Sequence, residues 1–107
     1  MTKATIVPGP CNHTTTVYAD SEDGMTAEIK VETDCKMVQK LMQEIGPELN
    51  AYEVCMNRSH KNPLYELSAE KAPLHAACPV ITGITKCIEA ECGLALPRNV
   101  SITIEKA

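Results

Sequence analysis

The sequence has 107 residues, a net charge of −4, three Tyr, and no Phe or Trp, so it favours a single domain over residues 1–107 with an aliphatic core. The acidic balance and the few aromatic side chains argue against nucleic-acid binding and against docking on an anionic membrane surface. No apolar run is long enough to span a membrane, and the first ten residues lack the pattern of a signal peptide, so we expect a cytoplasmic protein.

The first half of the chain predicts a β-hairpin followed by a helix. Residues 14–20 are rich in β-forming residues, and residues 25–32 alternate between apolar and polar side chains. The turn residues between them include Gly24, which can adopt positive φ. Residues 33–46 have the periodicity of a helix that is capped by Thr33 or Asp34 and ended by Gly46.

The second half predicts three helices and a last strand. Residues 51–57 favour a short helix, with a strand as the alternative, and residues 62–71 begin with an Asn-Pro pair typical of a helix start. Residues 78–92 predict a longer helix with Cys78 at its cap, in which Gly83 allows a neighbour to approach closely. Residues 99–106 alternate like a strand, with these side chains inward: Val100, Ile102 and Ile104.

This order of elements predicts an α+β fold, a small antiparallel sheet with helices on one face. The favoured sheet consists of the hairpin plus the C-terminal strand, in the order 2-1-3, so that residues 99–106 pair with residues 14–20. Pairing of residues 99–106 with residues 25–32 is the alternative.

In a reducing compartment, six cysteines predict metal ligands, reactive thiols or buried thiols rather than disulfides. Cys11 precedes the first strand of the hairpin, Cys35 follows the second, and Cys78 begins the long helix. The favoured strand order brings these three to one end of the sheet, and Cys55 is expected to join them. His13 and His75 lie two and three residues from Cys11 and Cys78. We assign the remaining two cysteines, Cys87 and Cys92, to the apolar core.

Thiolates from separate elements suit a metal centre, so the first functional hypothesis is an iron–sulfur cluster or a zinc ion. The proposed ligands are Cys11, Cys35, Cys55 and Cys78, with His75 or His13 as substitutes. Histidine ligands would favour zinc, whereas a cluster could serve in sensing or in electron transfer with a redox partner protein. The sequence contains no CxxC pair, so spacing does not choose between these metals.

Two further hypotheses remain open. Cys78 could be a sulfur-carrier or redox thiol, because the N-terminus of a helix favours an anion such as a thiolate. Its Cys-Pro helix start resembles that of sulfur-transfer proteins of the TusA type, although Ile81 stands where they have a second proline. The chain could instead be a metal-free interaction module that forms a homodimer through an edge strand. It contains no Ser/His/Asp nucleophile motif and no Gly-rich phosphate loop, so nothing in it predicts an enzyme.

One long stretch, HAACPVITGITKCIEAECGLALPRNVSI at residues 75–102, resembles the C-terminal part of a family of small cysteine-containing prokaryotic proteins of unassigned function. The TDC segment at 33–35 and the PC pair at 10–11 fit the same resemblance. It implies no particular activity. It does single out Cys11, Cys35 and Cys78 as motif positions.

Overall fold

The computed structural model describes residues 1–58 and 61–107, and in these residues it has a four-stranded antiparallel sheet and four helices. The strands are β1 (Thr2–Ile6), β2 (Thr15–Asp20), β3 (Thr26–Glu32) and β4 (Glu48–Asn50), and the helices are α1 (Lys36–Ile45), α2 (Ala51–Cys55), α3 (Pro63–Lys71) and α4 (Val80–Glu91). The order across the sheet is β1-β2-β3-β4. The predicted α+β fold is confirmed.

The predicted hairpin corresponds to β2 and β3, which pair with Val17 opposite Val31. Gly24 has a φ of 74° in the turn, as its position predicts. The Asp23 carboxylate accepts hydrogen bonds from the backbone N–H groups of Met25 (2.8 Å) and Thr26 (2.9 Å). These bonds favour the charged carboxylate and lower the pKa of Asp23. They also fix the turn that sets the register of the pair.

The helix starts follow the sequence signals closely, with two shifts. Asn50 caps α2 and Asn62 caps α3, each through its side-chain oxygen. The cap of α1 is Cys35 instead of Thr33 or Asp34, and the Thr33 hydroxyl accepts a hydrogen bond from the Cys35 N–H at 3.1 Å. The cap of α4 is Pro79, so the prediction that Cys78 is the cap is wrong by one residue.

Helix α4 packs across β1 and β2 and buries the apolar face of the sheet. Val17, Ala19 and Ala27 from the sheet and Ile84 and Ile88 from the helix are all fully buried. Gly83 allows this close packing, because a Cβ atom at its position would overlap the Ile6 side chain of β1. The predicted role of Gly83 is therefore confirmed.

The predicted C-terminal strand is wrong. Residues 99–107 have no regular structure, and β1 occupies the edge beside β2 that was assigned to them. A connection of only eight residues joins β1 to β2, so the entropic cost of closing this loop is small. Ile6 of β1 also fills the space above Gly83. A second strand that the sequence reading missed is β4, which is three residues long.

Candidate thiol site at one end of the sheet

Side-chain contacts fix the direction of α4 along the sheet. Its C-terminal residue Glu91 accepts hydrogen bonds from the Thr2 hydroxyl (2.7 Å) and the Ser21 N–H (3.0 Å), where β1 begins and β2 has ended. Gly83, near its N-terminus, contacts Ile6, the last residue of β1. The start of α4, and Cys78 before it, therefore lies toward the end of the sheet where β1 ends and β2 begins.

Cys11 and Cys35 belong to the same end. Cys11 is exposed in the loop between β1 and β2, and Cys35 follows the last residues of β3. The His13 ring lies 2.9 Å from the Asp34 carboxylate and joins the loop before β2 to the segment after β3. The Thr15 and Thr33 hydroxyls, 2.9 Å apart, form a second link between these strands. We call the end of the sheet that carries Cys11, Cys35 and Cys78 the cysteine end.

Cys78 and His75 line one small pocket. Its volume is about 200 Å³, and it lies between α3 and the start of α4. The Cys78 N–H donates to the His75 carbonyl at 3.0 Å, so the two residues are held in one tight turn. Tyr65 of α3 also lines the pocket, and its hydroxyl lies 3.3 Å from the Thr82 hydroxyl of α4. The pocket combines a half-buried thiol, an imidazole and a phenol.

Cys55 is placed differently from its prediction as a fourth ligand. Its thiol donates to the Thr85 carbonyl at 3.6 Å, which puts Cys55 beside the middle of α4. Thr85 is six residues beyond Pro79, or roughly 9 Å along the helix at 1.5 Å per residue. Burial, assisted by the charges of Glu89 and Cys92, raises the pKa of Cys55 to about 11. Its thiol is therefore protonated at neutral pH.

Cys87 has a structural role, as its assignment to the core predicts. It is 2% exposed and faces the sheet, where its thiol lies 3.3 Å from the Thr2 carbonyl and 3.7 Å from the Val17 carbonyl. Burial raises its pKa. A protonated, enclosed thiol suits packing and weak hydrogen bonding better than nucleophilic attack.

The shared end does not amount to a preformed metal cage. Over residues 1–58 and 61–107, no group of three or more His, Cys, Asp or Glu side chains is arranged to hold a metal ion. The third histidine of the sequence, His60, lies outside the described residues. A metal at the cysteine end would therefore require these side chains to change position.

Sequence reasoning missed two side chains of this region. Asp34 was considered only as a helix cap, yet it pairs with His13 across the sheet end. Tyr65 was an unremarked residue of a short helix, although its spacing of three from Ser68 places both on the face that lines the Cys78 pocket. Periodicity within α3 could have indicated that shared face, but it could not indicate which loop covers it.

Comparisons with known proteins give a family without an activity. A family of unknown function, DUF6951, matches residues 2–104, and the chain belongs to this family. No curated protein and no solved structure shows significant similarity to the chain. Among the helices of the described residues, none has the length and apolar character needed to cross a membrane.

Proposed function

We propose that this member of the DUF6951 family is a small thiol protein in which Cys78 accepts and carries reactive sulfur. The observation that supports the proposal is the pocket at the start of α4, which Cys78 shares with His75. Three partly buried thiols lie beside α4, namely Cys55, Cys78 and Cys92, and of these Cys78 lines the cavity between α3 and the start of α4. This difference makes Cys78 the better candidate for chemistry.

The residues around Cys78 fit a persulfide transfer. Cys78 lies one residue before Pro79, the cap of α4, and the first N–H groups of this helix have no partner within it and favour negative charge nearby. The imidazole of His75, which lines the same pocket, is the proposed acceptor of the thiol proton. The thiolate then attacks the outer sulfur of a donor persulfide, the sulfur–sulfur bond of the donor breaks, and the donor leaves as a thiolate. Cys78 becomes a persulfide, and no external oxidant or reductant is consumed.

The test is persulfide transfer from glutathione persulfide, followed by mass spectrometry of the intact protein and of its peptides. We expect one added sulfur on Cys78 and none in Cys78→Ser. Cys11→Ser is the matched control, because Cys11 is exposed but lies outside the pocket, and it should react like the wild type. His75→Ala should slow transfer about tenfold near neutral pH and regain rate as the pH rises. Equal labelling of Cys11 and Cys78, with no effect of His75→Ala, would refute a dedicated site.

A metal centre is the second candidate, and the common location of Cys11, Cys35 and Cys78 favours it. These three residues would be ligands of zinc or of an iron–sulfur cluster, with His13 or His75 completing the set. Cys55 is a less suitable fourth ligand than these histidines, because its thiol donates a hydrogen bond to the Thr85 carbonyl. The thiolates would supply the charge that either centre requires.

Metal and sulfide analysis of protein purified without oxygen separates the two functions. One zinc per chain, or iron with sulfide and visible absorption, would support the metal centre. That content should be lost in Cys35→Ser and retained in Cys55→Ser. Protein that carries neither metal and has freely titratable thiols would leave the sulfur carrier as the better proposal.

A further inference from the structure

The C-terminal segment, residues 99–106, combines a strand-like sequence with high exposure to solvent. Val100, Ile102 and Ile104 alternate with polar residues, yet they are 60%, 80% and 89% exposed. With the rest of the described chain, residues 99–107 make no hydrogen bond. Leaving three large aliphatic side chains in water along one face is unfavourable, and such a face typically marks an interaction site.

The sheet offers an edge of matching length. β1 is an outer strand over five residues, Thr2–Ile6, and no described strand pairs with its outer side. The span from Val100 to Ile104 is also five residues. The opposite edge, β4, has only three residues and continues directly into α2. An unpaired edge strand is a template for one more strand, and β1 is the longer template here.

A groove runs beside this edge, between β1 and α4, with a volume of about 520 Å³. Gly83, Cys87 and Ala90 line it from α4, and their spacing of four and three residues puts them on one face of the helix. Ile6 already covers Gly83 and Cys87 is only 2% exposed, so the part of this face that is open to an added strand lies around Ala90. A strand added to β1 would place Val100, Ile102 and Ile104 over this face.

The protein's own segment starts beside the groove and then leaves it. Residues 96–100 line the groove, whereas residues 101–107 do not line it and form no strand with β1. A second copy related by a twofold axis supplies the same segment from the other side. Each copy then gives one strand and receives one, which covers both apolar faces. The family match extends to residue 104 and therefore includes all three aliphatic residues.

We propose that two copies of this chain exchange residues 99–106, each adding its segment as a fifth strand to the β1 edge of the other. The expected particle is a dimer with twice the chain mass of 11.6 kDa. This inference concerns an interaction surface and does not depend on the chemistry of Cys78.

The test uses the full chain and two matched variants. Ile102→Glu places a charge on the apolar face of the segment, whereas Thr103→Glu places the same charge on the polar face. Light scattering after size-exclusion chromatography should give a dimer for the wild type and for Thr103→Glu, and a monomer for Ile102→Glu. Far-UV circular dichroism should show that all three are folded, since Ile102 and Thr103 are both exposed in the monomer.

Amide hydrogen exchange identifies the pairing itself. Residues 99–106 should exchange slowly in the wild type and rapidly in Ile102→Glu. A monomeric wild type would overturn the proposal, and slow exchange in that monomer would indicate that the segment pairs with its own β1. A dimer that persists in Ile102→Glu would place the interface elsewhere. Dissociation of both variants alike would contradict a strand with one buried face.

Discussion

Replacing Gly83 by alanine tests the contact that holds β1 against α4. The Cβ atom would overlap the Cδ1 and Cγ1 atoms of Ile6, a residue that is 8% exposed and has little room to move. Overpacking of this kind costs about 1–3 kcal/mol, while the gain in helix propensity is about 1 kcal/mol. We therefore expect Gly83→Ala to lower the free energy of unfolding by about 0–2 kcal/mol.

The sign should reverse when Ile6 is shortened. Ile6→Ala removes both overlapped atoms and costs about 2–5 kcal/mol by itself. In that background the new methyl group of Gly83→Ala meets no clash, so the helix-propensity gain of about 1 kcal/mol remains. The coupling between the two substitutions should thus be about 1–3 kcal/mol.

Urea unfolding followed by far-UV circular dichroism measures all four proteins of this cycle, and it suits a chain that has no tryptophan. Independent sites add to within about 0.5 kcal/mol. If Gly83→Ala had the same effect in both backgrounds within that margin, Ile6 would not lie over Gly83. The assignment of β1 to the edge beside β2 would then be wrong.

Three further predictions concern hydrogen bonds and buried thiols. Glu91→Gln should lower the free energy of unfolding by about 1–3 kcal/mol. The hydrogen bond from Thr2 lowers the pKa of Glu91, so the wild type should lose this stabilisation as the pH falls below 4.5, while the variant should not. Measuring the free energy of unfolding over an acid pH series would show the difference. Asn62→Ala should lower the free energy of unfolding by about 1–2 kcal/mol, which is more than Asn50→Ala, because both residues cap helices but only Asn62 is buried. Thermal unfolding of the two variants would contradict this if Asn50→Ala had the lower melting temperature. Burial raises the pKa of Cys55 to about 11, so the wild type should lose stability as the pH rises from 9.0 to about 11 and this thiol ionises. In urea titrations, Cys55→Ala should abolish that part of the alkaline loss of stability.

Local signals in the sequence were sufficient for the elements whose stability is local. The β2–β3 hairpin follows from alternation and a turn with Gly24, and α3 follows from Asn62 and Pro63. Each of these depends on residues that are close in sequence. The errors at the starts of α1 and α4 are of one or two residues and concern the caps. At α1 the Thr33 hydroxyl accepts a hydrogen bond from the Cys35 N–H although it lies two positions before the cap.

The choice of edge strand could not be made locally. Residues 99–106 have a stronger strand pattern than residues 2–6, which contain Lys3, Ala4 and Thr5. Loop length and the fit of Ile6 over Gly83 decide for the N-terminal strand, and the second of these is a contact between residues 77 positions apart. The same limit applies to the site. The shared location of Cys11, Cys35 and Cys78 was predicted through the wrong strand, and it results from the direction of α4 instead.

The thiol chemistry and the exchanged strand occupy different parts of the molecule, which makes the two proposals separable. The Cys78 pocket lies between α3 and the start of α4, whereas the groove lies between β1 and the face of α4 that runs from Gly83 to Ala90. Ile102→Glu should therefore dissociate the dimer and leave persulfide transfer to Cys78 unchanged. Cys78→Ser should abolish transfer and leave the dimer intact. Loss of transfer in monomeric Ile102→Glu would mean that the partner chain contributes to the site, since Ile102 is not among the residues that line the pocket.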